Sequence, residues 1–305
     1  MGSFIGHVIP GSFFLGFAIH WTIQIWIRFF KAKRNQGKYY NSCTYPCYCC
    51  CRRLKTYQME GVLKIVFPAI GVIVEISAGF VDGKFVAMGN GQHSTMYSAF
   101  IICGILDILV HHKVRFVPKN ANYLASALAF AIEGLLFKFH LHGRSSLDIQ
   151  IHTLLVYIVA LNVITILAEM RYPNSVIAGL ARAFFVILQG TWFYQVAFIL
   201  YNPIPGAEPW DGENHEQMMI TTIIFGWHML IILIAMITIG AIVSCFIKRG
   251  DGGNYNKDDE YDMESLIHRD NNGHTLLKMN ADDAEDDSDF ENEKPVSLKT
   301  LTSCD

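Results

Sequence analysis

Apolar blocks of about 20 residues or more, each long enough to cross the hydrocarbon layer of a bilayer, alternate with shorter polar connections along this chain. The blocks cover residues 4–30, 61–81, 94–112, 122–142, 147–169, 174–201 and 217–247. A helix satisfies its own backbone hydrogen bonds where lipid offers no partner. The pattern therefore predicts an all-α fold, an integral membrane bundle of seven transmembrane helices within residues 1–247. From Lys248 on the apolar pattern stops. The acidic runs "DDE" at 258–260 and "DDAEDDSDFENE" at 282–293 predict a disordered, acidic cytosolic tail over residues 248–305.

Charge fixes the expected orientation, because cytosolic connections collect lysine and arginine. The first connection carries Lys31, Lys33, Arg34, Lys38, Arg52, Arg53 and Lys55, the third carries Lys113, Arg115 and Lys119, and Lys248 and Arg249 follow the last block. The other connections hold Asp82 with Lys84, Arg144 with Asp148, and then Glu208, Asp211, Glu213 and Glu216. Together these predict an amino terminus outside or lumenal and a carboxyl terminus in the cytosol. No basic residue precedes the first apolar block, so it reads as a retained span rather than a cleaved signal. With 52% hydrophobic and 17% charged residues, the expected partner is the lipid bilayer, and nothing in the composition points to nucleic acid.

Five of the eight cysteines, at 43, 47, 49, 50 and 51, crowd the first cytosolic connection, and the outer connections contain none. A disulfide framework is not expected in that compartment. Cys47, Cys49, Cys50 and Cys51 beside Arg52 and Arg53 suit palmitoylation, with unmodified thiols as the alternative. In the tail, "DMESLI" places Asp262 four residues before the pair Leu266 and Ile267. That is the pattern of a dileucine sorting signal read by clathrin adaptors, with a chance match as the alternative. It predicts residence at the plasma membrane or in endosomes and lysosomes, with the Golgi as the other location.

Titratable side chains inside a bilayer are costly and face a bundle interior, a cavity or a partner. This chain places His7, His20, Glu75, His93, Asp107, Glu133, Lys138, His140, His142, His152, Glu169, Arg182 and His228 in its spans. With the orientation above, His7, His93, His140, His142, His152 and His215 gather in the outer leaflet or at its edge, and Glu75 approaches them from the second span. Gly143 reads as the C-cap of the fourth helix, and Ser145 with Asp148 as a capping box opening the fifth. Asp148 and His152 then share a helix face at i, i+4. The candidate metal ligands are His93, His140, His142, Asp148, His152, Glu75, His7 and His215, with zinc the favoured ion and other transition metals open. A metal-free hydrogen-bonded network and a proton relay are the alternatives. Haem is not favoured, since His20 and His228 form no clear axial pair. Arg182 is expected to snorkel or to pair with Glu169 or Asp107, and Gln189 and Gln195 to bridge helices, with Gly190 allowing close approach.

The motifs "GHVIPGSFF" (6–14), "HSTMY" (93–97), "HLHGRSSLDIQIH" (140–152), "LQGTWFYQVAFILYNP" (188–203), "PWDGENHE" (209–216) and "FGWH" (225–228) resemble the transmembrane protein 45 family, catalogued as a domain of unknown function. The resemblance implies a seven-span membrane protein and carries the family's motif histidines onto His7, His93, His140, His142, His152, His215 and His228. One departure is Gln92, where that family often has a second histidine. No reaction comes with the resemblance, and whether the chain is an enzyme stays open. The readings are a metal-binding membrane protein, a zinc-dependent intramembrane hydrolase acting on a lipid, and a trafficking or scaffold protein with a structural polar network. Hydrolases of the ceramidase and progestin-receptor type carry a spaced HxxxH pattern in their last span, and it is absent here.

Overall fold

The computed structural model describes residues 3–46, 58–139, 141 and 143–249. His140, His142, Cys47, Cys49, Cys50, Cys51 and the tail residues Asp262, Leu266 and Ile267 lie outside the described residues. The helices are α1 (Phe4–Arg34), α2 (Met59–Gly79), α3 (Met88–His111), α4 (Ala121–Phe139), α5 (Ser146–Arg171), α6 (Val176–Leu200) and α7 (His215–Arg249). All seven are long and apolar enough to cross a membrane, as the hydrophobic blocks predict. Serines open three of them: Ser3, Ser145 and Ser175 accept backbone N–H bonds from Gly6, Asp148 and Ala178, filling donors that a helix start leaves orphaned.

Some boundaries differ from the sequence expectation. α3 begins at Met88, so His93 stands a full turn inside the helix. Between α2 and α3 a short antiparallel hairpin pairs β1 (Phe80–Val81) with β2 (Lys84–Phe85). Its turn residues Asp82 and Gly83 both take positive φ, 51° and 74°, the conformation an Asp-Gly hairpin turn requires. Gly143, expected as a helix cap, takes φ 76° in the turn before α5, the left-handed conformation that favours glycine; the described part of α4 ends at Phe139.

The helices pack as an incomplete ring. α2 lies along α3, α3 on α4, α4 on α5, α5 on α6 and α6 on α1, while α7 sits outside against α1 and α6. Close packing of two pairs depends on glycine. A Cβ on Gly11 would stand 2.9 Å from the Gly190 carbonyl oxygen, and one on Gly104 would stand 2.6 Å from that of Gly61, so α1–α6 and α2–α3 approach backbone to backbone. α1 and α2, which would close the ring, barely meet along their backbones. Pro10 in α1 and Pro68 in α2 each remove a helical hydrogen bond beside this seam.

Candidate functional site

At the upper end of the bundle, where α1 begins, three histidines are each tied through Nδ1. His7 Nδ1 meets the Ser3 carbonyl oxygen at 2.9 Å. His93 Nδ1 lies 3.1 Å from Glu75 Oε1, joining α3 to α2. His152 Nδ1 lies 2.6 Å from Asp148 Oδ1 on the same face of α5. Such ties orient the imidazoles and leave their chemistry to Nε2. Asp148 also accepts from Arg144 at 2.9 Å, so one carboxylate positions two side chains. The His7 and His152 rings meet edge to face with centroids 6.1 Å apart, and His7 also packs against Tyr201 at 5.4 Å. Burial raises the Tyr201 hydroxyl above its ordinary value, so it stays protonated.

A cavity of about 520 Å³ runs down from this cluster through the centre of the ring. His7, Glu75, His93, Arg144 and His152 line its upper part, and Phe13, Phe14, Phe67, Phe100, Phe130 and Phe193 line its middle. These rings pack on one another, with Phe14 stacked on Phe193 at 5.9 Å and Phe100 edge-on to Phe130 at 5.4 Å. The seam between α1 and α2 forms one side. Ile9 on α1 and Ile70 on α2 both line the cavity and are 51% and 53% exposed, so on a surface clad in apolar side chains this side faces the hydrocarbon layer. Lower down, Phe13 meets Phe67 at 4.4 Å and the seam closes.

Glu133 lines the same cavity and is 3% exposed. Its two oxygens accept from the Gln189 side-chain amide at 3.0 and 3.1 Å, and Gln189 Oε1 in turn accepts from Asn162 at 2.6 Å. Gln189 thus bridges α4, α5 and α6, as expected of an intramembrane amide. Among the described residues Glu133 has no cationic partner.

The lower end is sealed by charge and by the first connection. Lys64 sits between Glu60 at 2.8 Å and Asp107 at 2.9 Å, and Trp21 donates to Glu60 at 3.0 Å. Arg182 does not snorkel: it is 3% exposed, forms an ion pair with Glu169, stacks 4.1 Å over Trp21 and donates to the Ser42 and Cys43 carbonyls at 3.1 Å. Those contacts, with Tyr45 N–H donating to Glu60 at 3.0 Å, draw residues 42–45 into the bundle as a plug. Burial pushes the Cys43 thiol far above its ordinary value, so it is an inert core side chain.

The structure therefore brings together His7, Glu75, His93 and His152 around the upper cavity, with Asp148 behind them. His215 stands exposed at the head of α7 and forms no hydrogen bond or ring contact with the other described candidates. His228 lies edge-on to Trp192 at 5.6 Å. Among the described residues no three His, Cys, Asp or Glu side chains converge closely enough to hold a metal ion. Sequence reasoning passed over Lys64 and gave Glu133 no role. Glu60, four residues before Lys64 on α2, is a local i, i+4 pattern, but Asp107 reaches the lysine from α3 and leaves no local pattern to find.

The geometry is that of a multi-pass membrane protein with an internal cavity, and the comparisons agree with the membrane class. Residues 119–241 match the family described as "Family of unknown function (DUF716)", a stretch that holds Glu133, Asp148, His152 and Gln189 but not His7, Glu75 or His93. The chain is 26% identical to transmembrane epididymal protein 1A of Mus musculus, over 80% of this chain and 82% of that protein. Transmembrane epididymal protein 1 of Rattus norvegicus gives 26% identity over the same shares. The Homo sapiens protein of that name is 28% identical over 59% of this chain and 69% of its own length.

Proposed function

We propose that this multi-pass membrane protein binds an amphiphile drawn from the bilayer, holding its hydrocarbon among the phenylalanines and its polar head at the histidine end of the cavity. The observation that carries this reading is the cavity itself: about 520 Å³, apolar in the middle, polar above, and flanked by a seam facing lipid. Ligand sites of this size are mostly apolar with a few converging polar groups. Lipid extraction from protein purified in a mild detergent tests it. A bound amphiphile at near-equal molar amount, lost when Phe100 and Phe130 are both replaced by tryptophan to fill the slot, supports the reading; protein free of lipid contradicts it.

A second reading rests on the three Nδ1 ties. A carboxylate or carbonyl behind a histidine is the arrangement that prepares Nε2 for a metal, so zinc at the upper end, with His140 and His142 available to the same connection, would make the cavity that of a lipid hydrolase. Asp148 then serves as an orienting group rather than a ligand. Metal analysis of the purified protein separates the two: stoichiometric zinc, lost in a His7→Ala, His152→Ala variant, supports it, and a metal-free active-binding protein sinks it.

The basic residues Lys33, Arg34, Lys113, Arg115 and Lys119 at the lower end support a cytosolic placement of that end, with the amino terminus opposite. On this topology the acidic tail from residue 248, its Leu266–Ile267 signal for endosomal or lysosomal sorting, and the palmitoylation candidates Cys47, Cys49, Cys50 and Cys51 all fall in the cytosol. Assignment to the transmembrane protein 45 branch belongs to the same proposal and rests on the motifs quoted above.

A further inference from the structure

The shape and charge of the cavity narrow the occupant, given the amphiphile reading above on which this inference rests. Ser3 and Trp21 both line it, and their separation along α1 is about 27 Å at the helical rise. The cavity is therefore long enough to take an extended hydrocarbon chain along α1, with its polar groups gathered at one end.

The charges in and directly behind its wall do not balance. Among the described residues six carboxylates, Glu60, Glu75, Asp107, Glu133, Asp148 and Glu169, face three permanent cations, Lys64, Arg144 and Arg182. The excess is local. Glu60 and Asp107 share Lys64, Asp148 has Arg144, Glu169 has Arg182 and Glu75 has His93. Among the described residues Glu133 has only the Gln189 amide. An ionised carboxylate in that position carries a desolvation cost that an amide does not offset, and a cation placed against it removes the cost. Glu133 lies six residues, about 9 Å, from the described end of α4, and side chains lean toward a helix's N-terminus, here away from the histidines. Its carboxylate therefore sits at the floor of the polar chamber, where the phenylalanine slot begins.

We propose that the ligand is an amphiphile bearing a basic amine, its ammonium seated on Glu133 and its chain running down the phenylalanine slot. Each Glu133 oxygen accepts one bond from Gln189 and keeps a lone pair for an ammonium donor. The lower end of the slot offers no rival site for an anionic head, because Lys64 and Arg182 are already bonded to three acids.

The test uses the full-length protein in phosphatidylcholine nanodiscs, with hexadecylamine, hexadecanoic acid and hexadecanol as probes and empty nanodiscs to subtract partition into lipid. The amine is expected to bind wild type at least about tenfold more tightly than the acid or the alcohol. Glu133→Gln should bring the amine to the alcohol's affinity and leave the alcohol unchanged, which also reports that the variant is folded. Glu133→Asp should retain the preference. If the acid or the alcohol binds wild type as well as the amine, or if Glu133→Gln keeps the preference, the amine assignment is overturned while the amphiphile reading stands. If none of the three binds, both fall.

Discussion

Trp21 on α1 donates its indole N–H to Glu60 on α2 at 3.0 Å, joining the two helices that leave the ring of the bundle incomplete. The same Glu60 carboxylate takes the Lys64 ammonium and the Tyr45 backbone N–H. The bond therefore locks the foot of the seam to the plug formed by the first connection. Above it α1 and α2 part, and the cavity meets the hydrocarbon layer. α2 has few buried residues of its own, so its position depends on α3 and on this foot.

Replacing Trp21 by Phe removes the donor and keeps the ring under Arg182. The expected loss of stability is about 1–3 kcal/mol, the cost of a buried acceptor left short of one partner. Thermal unfolding in detergent checks the loss, and a faster exchange of a fluorescent alkyl probe checks that the seam has loosened. Unchanged exchange would show that α2 is held by other contacts.

Arg182→Met leaves Glu169, fully buried, without its counter-ion and frees the Ser42 and Cys43 carbonyls. Removing one member of a buried ion pair costs about 3–5 kcal/mol, while replacing both members by apolar groups costs far less. Arg182→Met should therefore lower the melting temperature more than the double variant Arg182→Met, Glu169→Leu. Equal losses would mean that the pair is not the seat of the effect.

At the upper end, Glu213 in the α6–α7 connection accepts from the Ser146 hydroxyl at 2.6 Å and from its backbone N–H at 3.2 Å. These bonds hold its carboxyl below the ordinary value. A depressed folded pKa means the tether adds stability above the unfolded value near 4.5 and loses it as pH falls through the lower folded value. Hydrogen exchange at the start of α5 should rise as pH is lowered through that window in wild type, after correction for intrinsic exchange. Glu213→Gln should show no such step.

The helices were legible from the sequence because each is a local pattern: block length marks the spans, Ser145 marks a helix start, and i, i+4 spacing pairs Asp148 with His152. The pairing of Glu75 with His93 was legible only as shared depth. The plug was not. Residues 42–45 look like an ordinary polar connection, and what buries them is Arg182, more than a hundred residues away along the chain. Lys64 reads as an unremarkable charge near a helix start until α3 brings Asp107 beside it. The cavity is likewise a property of how α1 and α2 fail to meet, which no single segment encodes.

The central claim is that lipid-derived chains occupy the interior of the bundle, and mapping of photo-crosslinks tests it most directly. Protein in nanodiscs would be irradiated with an alkylamine carrying a diazirine at mid-chain, and the labelled peptides sequenced. The account predicts adducts on the slot residues Phe13, Phe67, Phe100 and Phe130, suppressed by excess unlabelled amine. Adducts confined to outward-facing residues such as Ile164, Ile177 and Ile234, and insensitive to competitor, would contradict it.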